Sequence, residues 1–197
     1  MTQKRTSKRD HLVEVAQKLF YREGIKGTGI DAVLEHAGVA KRTLYNHFKS
    51  KDELVIATLH RRDQEFIDMI KAGIRKFEPK QPGEKRFAGV LAFFDVIDEW
   101  TRSRQFSGCM FINASAEYLR KEDPIHAVCA LHKKLVIQLL EELLVPVKPV
   151  NSRALAEQLA ILADGAIVNA HTTNISDAAL IAKSIAEILL NNEESNT

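Results

Sequence analysis

Cysteine is scarce in this 197-residue sequence, which contains only Cys109 and Cys129. No CxxC pair and no cluster of histidine and cysteine surrounds either of them. Disulfide frameworks and zinc sites need several such residues at characteristic spacings. The sequence therefore predicts neither, and we expect no bound metal and no cofactor.

Long hydrophobic runs are also missing. No apolar stretch approaches the roughly 20 residues that a membrane-spanning helix needs. The first nine residues are polar and basic, and no apolar segment of the kind found in secretion signals follows them. With 45% hydrophobic and 27% charged residues, the composition is typical of folded globular proteins. We therefore expect a cytoplasmic protein with no membrane partner.

Strand-like alternation of apolar and polar residues is hard to find, whereas apolar residues recur every three or four positions. This spacing is typical of amphipathic helices, which capping residues, glycines and prolines here divide into about nine segments. The fold class is therefore predicted to be all-α, with residues 191–197 frayed. The predicted helices span 7–23, 29 or 30 to 37, 40–48, 51–77, 84–104, 110–119, 124–144, 153–172 and 178–191.

Positive charge is concentrated at the start of the chain. Residues 1–51 contain eleven Lys or Arg and five Asp or Glu, a net charge of +6, so the remainder carries −4 of the total of +2. A basic first quarter joined to a mildly acidic body suggests that only the first part meets a polyanion.

The first three predicted helices have the layout of a helix-turn-helix, with Gly38 in the turn between the second and third. Val33 and Leu44 belong to the apolar faces through which these helices would pack together. We therefore predict a DNA-binding domain over residues 1–50 and a helical ligand-binding and dimerisation domain over 51–197.

The third predicted helix presents a polar face made of hydrogen-bond donors. Arginine and lysine suit guanine edges, threonine suits a base or a thymine methyl, and tyrosine, histidine and the nearby Lys51 suit phosphate oxygens. A short cationic face is, taken alone, more often simply solvated. The face consists of Lys41, Arg42, Thr43, Tyr45, Asn46 and His47.

The stretch from Thr28 to Leu54 resembles the DNA-binding signature of the tetracycline-repressor (TetR) family. Ala37-Gly-Val, Thr43-Leu-Tyr, His47-Phe and Ser50-Lys-Asp-Glu-Leu fall in register with it. The resemblance implies a homodimer that represses transcription from a double-stranded DNA operator until a small molecule releases it. It also implies base contacts by Lys41, Arg42 and Thr43, and phosphate contacts by Thr28, Tyr45, His47 and Lys51.

The sequence departs from the family pattern at three positions. Arg42 stands where the family often has a small residue, Gly29 where it often has a hydroxyl, and Ala32 where it often has an acid. The operator sequence is therefore left open. From the residues alone, Thr28 is also a candidate to accept hydrogen bonds at the start of the second helix.

The body offers two further hypotheses. An apolar ligand pocket could be lined by Phe94, Trp100, Phe111, Asn113 and Glu117. The last two helices carry broad apolar stripes, which could pack within one chain or, as the resemblance implies, pair with a second copy. The stripes consist of Leu155, Leu159, Leu162, Ala166 and Ile167 on one helix and Leu180, Ile181, Ile185, Ile188 and Leu189 on the other.

Two other functions stay open at this point. A sequence-independent architectural DNA-binding protein would use the same basic face. A helical enzyme could use an acid–base pair such as Asp164 with His171. No Ser/His/Asp order, phosphate-binding glycine loop or HExxH motif supports catalysis, so no catalytic residues are predicted.

Overall fold

The computed structural model describes residues 7–77, 87–173 and 175–195, with the side chains of 193–195 left out. Nine helices and no strand occur in these ranges, which confirms the all-α prediction. The helices are α1 (Lys8–Glu23), α2 (Ile30–Ala37), α3 (Lys41–Tyr45), α4 (Lys51–Phe77), α5 (Ala88–Thr101), α6 (Met110–Glu117), α7 (Pro124–Leu144), α8 (Ser152–Thr172) and α9 (Ala178–Ser195).

Side-chain hydrogen bonds cap the starts of two helices. The hydroxyl of Ser7 accepts from the N–H of Asp10 at the start of α1. At the start of α4, the hydroxyl of Ser50 accepts from the N–H of Glu53, while the Glu53 carboxylate accepts from the N–H of Lys49. Such reciprocal bonds satisfy N–H groups that have no partner within the helix.

Four helices end at a different residue from the one predicted, and α5 is one of them, because it ends at Thr101 rather than residue 104. α3 ends at Tyr45 rather than residue 48, because the N–H of His47 bonds to the carbonyl of Leu44, three residues back, and tightens the last turn. α9 continues to Ser195, so the expected fraying of 191–195 is wrong; no glycine or proline interrupts this segment. α6 ends two residues early, at Glu117. The predicted start of α5 at 84 lies outside the described residues.

The described chain divides into two compact units. Unit 1 holds residues 7–65 and 110–131, and unit 2 holds 66–77, 87–109, 132–173 and 175–195. Both α4 and α7 contribute residues to each unit. The boundary predicted at residue 50 is one of function, between a DNA-binding and a ligand-binding part of the chain. It does not coincide with a boundary between the two compact units, and it stays a prediction.

In unit 1, α1, α2 and α3 pack against one another. Leu12, Ala16, Val33 and Leu44 are fully buried in this packing. A ring nitrogen of His11 on α1 also lies 3.1 Å from the carbonyl oxygen of Ala37, the last residue of α2. These contacts hold the short α3 in place, which a five-residue helix requires because it is unstable alone.

In unit 2, α5, α8 and α9 form the closest helix packing. Phe93 and Phe94 of α5 are fully buried, and their rings meet edge to face at 5.4 Å. Lys183 of α9 donates to both carboxylate oxygens of Asp95, at 2.7 and 2.8 Å. None of the helices in the described ranges is long and apolar enough to cross a membrane.

Candidate nucleic-acid interface

The turn between α2 and α3 is built around Gly38. This residue adopts the left-handed conformation, with φ at 62° and ψ at 35°, which glycine accepts without the steric cost that a Cβ imposes. Its N–H donates to the carbonyl of Glu35, and the N–H of Val39 donates to that of Leu34. The turn therefore closes α2 and leads directly into α3, as the helix-turn-helix prediction required.

The buried side of α3 determines which side chains face outward. Leu44 is fully buried, and Phe48 just after the helix is also buried. The side chains that remain belong to the predicted polar face. Thr43 is half-buried, whereas Lys41, Arg42, Tyr45, Asn46 and His47 are exposed. The structure thus brings six of the eight predicted DNA-binding residues onto one short segment.

The two cations on this segment differ in their surroundings. The ammonium of Lys41 lies 3.6 Å from a carboxylate oxygen of Asp31 on α2, and both side chains are largely exposed. Exposed pairs of this kind contribute little to stability and are readily exchanged for other partners. Arg42 is exposed at the neighbouring position. A third cation, Arg9 of α1, lies over the ring of Phe48 at 5.2 Å.

Lys51 and Thr28 are the remaining predicted DNA contacts, and both bond to the α1–α2 loop. The half-buried Lys51 donates from its ammonium to the carbonyl of Ile25, which leaves it further N–H donors.

Thr28 is only 2% exposed, and its hydroxyl donates to the carbonyl of Gly24 at 2.7 Å. The expected capping role of Thr28 is wrong, because the N-cap of α2 is Gly29, which has no side-chain cap. The same burial keeps the Thr28 hydroxyl off the exposed surface.

Glu117 has a position that the sequence did not predict. The predicted ligand pocket includes this residue, but its two carboxylate oxygens accept from the backbone N–H groups of Ile25 and Lys26 in unit 1. The partners lie more than ninety positions apart in sequence, so no local pattern could have indicated the contact.

Tyr118 lies beside this contact. Burial, followed by the negative charges of Asp52, Glu117 and Asp123, raises the pKa of Tyr118 to about 12. The ammonium of Lys26 lies 5.4 Å from the centre of its ring. The end of α6 is therefore packed and bonded against the loop that precedes α2.

The other predicted pocket residues belong to two different units. Phe94 is fully buried in unit 2, where Trp100 contacts the rings of Phe66 and Phe106 at 5.6 and 5.1 Å. Phe111 and Asn113 belong to α6 in unit 1, where Phe111 is buried. The five predicted residues are thus divided between the two compact units, and the ligand pocket stays a prediction.

Unit 2 carries an apolar groove of about 330 Å³ along α8 and α9. Four residues of the predicted α8 stripe, Leu155, Leu159, Ala166 and Ile167, are buried within the chain, which is the first of the two alternatives. Ala166 also lines the groove, and pairing of the stripe with a second copy stays a prediction. On α9 the predicted residues Leu180, Ile181, Ile185 and Ile188 are indeed exposed, Ile188 by 60%. Ile161 of α8, which the stripe did not include, is 71% exposed and lines the same groove.

Comparisons with known proteins agree with this architecture. Residues 12–58, which contain α1 from Leu12 onward, all of α2 and α3, and the start of α4, match the family model described as bacterial regulatory proteins, tetR family. The chain is 33% identical over 94 residues to the transcriptional activator FasR of Mycolicibacterium smegmatis, and 23% identical over 141 residues to the transcriptional repressor NemR of Escherichia coli. These matches cover 48% and 69% of this chain, and 42% and 66% of the two relatives. The matched part thus spans less than two thirds of each relative's length.

A solved structure extends the likeness to nearly the whole chain. The structure superposes on SCO4454, a TetR-family transcriptional regulator from Streptomyces coelicolor, with a TM-score of 0.80 and 30% sequence identity. The superposition covers 94% of this chain and 95% of that one, so it includes the body as well as the helix-turn-helix. The chain therefore belongs to the TetR family of transcriptional regulators.

Proposed function

We propose that this protein is a sequence-specific DNA-binding transcription regulator that acts as a repressor and leaves its operator when a small molecule binds. One observation carries the proposal: an exposed face of donors on α3, held in a helix-turn-helix by the buried Leu44 and Phe48. A helix in this arrangement enters the major groove, where donor side chains meet base edges and phosphates.

The side chains on this face divide into two proposed roles. Lys41, Arg42 and Thr43 lie in the first turn of α3, the part of a reading helix that meets bases. Tyr45, His47 and Lys51 follow it and are assigned to phosphate oxygens, with Asn46 at the C-cap between them. Arg42 is the proposed main determinant of the operator sequence, because a guanidinium can bond to both acceptors of a guanine edge.

The groove along α8 and α9 supports a homodimer. Several large apolar side chains are exposed there, and such patches on a folded chain mark sites of association. A two-fold dimer would carry two copies of α3, which suits a pseudo-palindromic operator. We propose that a second copy of this chain covers the groove.

We propose that the protein represses transcription and that ligand binding releases it from its operator. NemR is a repressor and FasR an activator, so relatives of this chain include both kinds of regulator. We favour repression because occupancy of an operator is by itself enough to block transcription. A ligand that binds only one state of the body would act through α4, which contributes to both units. We propose a cytoplasmic protein without enzymatic activity.

Selection of bound sequences from random double-stranded DNA tests the proposal. The full-length protein should enrich a pseudo-palindrome, Tyr45→Ala should weaken binding to it, and Arg42→Ala should change the preferred bases. Arg104→Ala is the matched control, because it removes an exposed cation from unit 2. A folded protein that enriches no sequence would contradict the proposal and favour an architectural DNA-binding protein.

A further inference from the structure

The backbone of Ile25 is hydrogen-bonded by charged side chains at both its N–H and its carbonyl. Its N–H donates to the carboxylate of Glu117 at 2.9 Å, and the neighbouring N–H of Lys26 donates to the other carboxylate oxygen. Its carbonyl accepts from the ammonium of Lys51. One loop residue thus joins the end of α6 to the start of α4 within unit 1.

The carboxylate is well suited to fix this loop. Hydrogen bonds to an ionised acceptor are shorter and stronger than bonds between neutral groups. The bond from the Lys26 N–H fixes the peptide plane that also contains the Ile25 carbonyl. Gly24 turns the chain with φ at 81°, and a Cβ placed on it would lie 3.5 Å from the Glu117 carboxylate. The loop therefore approaches Glu117 closely at three consecutive residues.

The ammonium of Lys51 donates to the carbonyl of Ile25, whose orientation the Glu117 carboxylate fixes. Its stem is long and flexible, so a free lysine would sample many positions at an entropic cost on binding. The bond to Ile25, together with the ring of Phe20 at 5.9 Å, restricts the ammonium while leaving N–H groups for another acceptor. A phosphate oxygen is the acceptor that the proposed function supplies.

We propose that Glu117 is a positioning residue for DNA binding. By holding the N–H groups of Ile25 and Lys26, it sets the Ile25 carbonyl, which in turn directs the ammonium of Lys51 toward a backbone phosphate. The inference rests on the proposed function. Glu117, the last residue of α6, would thus raise the affinity for DNA without contacting nucleic acid itself.

Binding of the full-length protein to the operator enriched by the wild type tests this inference. Glu117→Gln removes the charge and one acceptor, so it should weaken binding about tenfold. It should also reduce the slope of log K against log salt by about 0.9 for each phosphate that the protein no longer neutralises, or about 1.8 for a dimer. A purely structural role would not change that slope.

Combination with Lys51→Ala completes the test. In the Lys51→Ala background, Glu117→Gln should cost less than about threefold, because the phosphate contact that it positions is already absent. In an Arg42→Ala background the full effect of Glu117→Gln should persist, since no bond in this chain of contacts involves Arg42. Glu122→Gln, an exposed acid just beyond α6, is the matched control and should leave affinity within about twofold.

The outcomes separate the two proposals. If the wild type binds its operator and Glu117→Gln weakens binding equally with and without Lys51, at an unchanged salt slope, the positioning role is wrong and the proposed function stands. If the wild type selects no operator, the proposed function itself fails. Thermal unfolding confirms that each variant is folded during the assay. Glu117→Asp, which keeps the charge on a shorter side chain, replaces Glu117→Gln should the latter be unfolded.

Discussion

Gly73 of α4 lies directly against Val96 of α5 in unit 2. A Cβ atom on Gly73 would lie 2.9 Å from Cγ1 of Val96 and nearer still to Cγ2. Glycine in a helix interior costs about 1 kcal/mol relative to alanine. The close approach of the two helices therefore explains why the middle of a long helix contains this residue.

Gly73→Ala should destabilise the protein by about 1 to 3 kcal/mol, because the new methyl overlaps Val96. Chemical denaturation measures the free energy of unfolding. The same substitution in a Val96→Ala background should cost much less, since the overlap is removed. A stabilising effect of Gly73→Ala alone, as helix propensity would give, would show that the two helices are farther apart.

Leu44 and Tyr45 are neighbours on α3 with opposite expected roles. Leu44→Ala should lower the free energy of unfolding by about 2 to 5 kcal/mol, because it leaves a cavity under the helix. Tyr45, which is 48% exposed, should tolerate alanine with a change within about 0.5 kcal/mol. Chemical denaturation measures the stability of both variants, and operator binding measures their affinity for DNA. Tyr45→Ala should lose DNA affinity while it stays folded.

The raised pKa of Tyr118 predicts a loss of stability in alkaline solution. The phenol ionises near pH 10 in the unfolded chain and near 12 in the folded protein, so the folded state holds the proton more tightly. This contribution is fully present below pH 10 and is lost as the pH rises through 12. Unfolding measured from pH 9 to 12 should therefore show a steeper loss for wild type than for Tyr118→Phe.

A second variant isolates the cause of this pH dependence. Asp52→Asn removes one of the negative charges that raise the pKa of Tyr118. Its loss of stability between pH 10 and 12 should lie between those of wild type and Tyr118→Phe. Identical alkaline profiles for all three proteins would refute the assignment.

Ile185→Asp should convert the proposed dimer to a monomer. Ile185 lines the apolar groove on α9, and a carboxylate there would be desolvated against a second copy. Sedimentation velocity reports the mass of the particle directly. Leu119→Asp is the matched control, because Leu119 is 78% exposed in unit 1. This variant should form the same assembly as the wild type. Equal masses for the two variants would exclude this groove as the interface.

Local chemistry made most of the fold predictable from the sequence. Gly38 and the Ser50–Glu53 pair mark helix ends through bonds within a few residues, and the structure contains those bonds. The turn at the end of α3 was harder to predict, because His47 and Phe48 continue the helical spacing of apolar and polar residues. The spacing of apolar and polar residues does not indicate whether the last turn of a helix is α-helical or tighter.

Contacts between distant segments account for the remaining differences. Glu117 fits an apolar pocket as well as a loop contact when only its neighbours are known, and Ile25 lies 92 positions away. The stripe of Leu155 and Leu159 is equally compatible with burial in one chain and with burial in a dimer. The burial of these residues against the chain's own helices follows from three-dimensional packing alone.

The central claim is that this protein recognises a DNA sequence rather than DNA in general. The most direct test is the ratio of two dissociation constants, for the enriched operator and for a scrambled duplex of equal length, at one salt concentration near physiological. A sequence-specific regulator should bind its operator roughly a thousandfold or more tightly, and Arg42→Ala should reduce that ratio. A ratio near one for the folded wild-type protein would contradict the account.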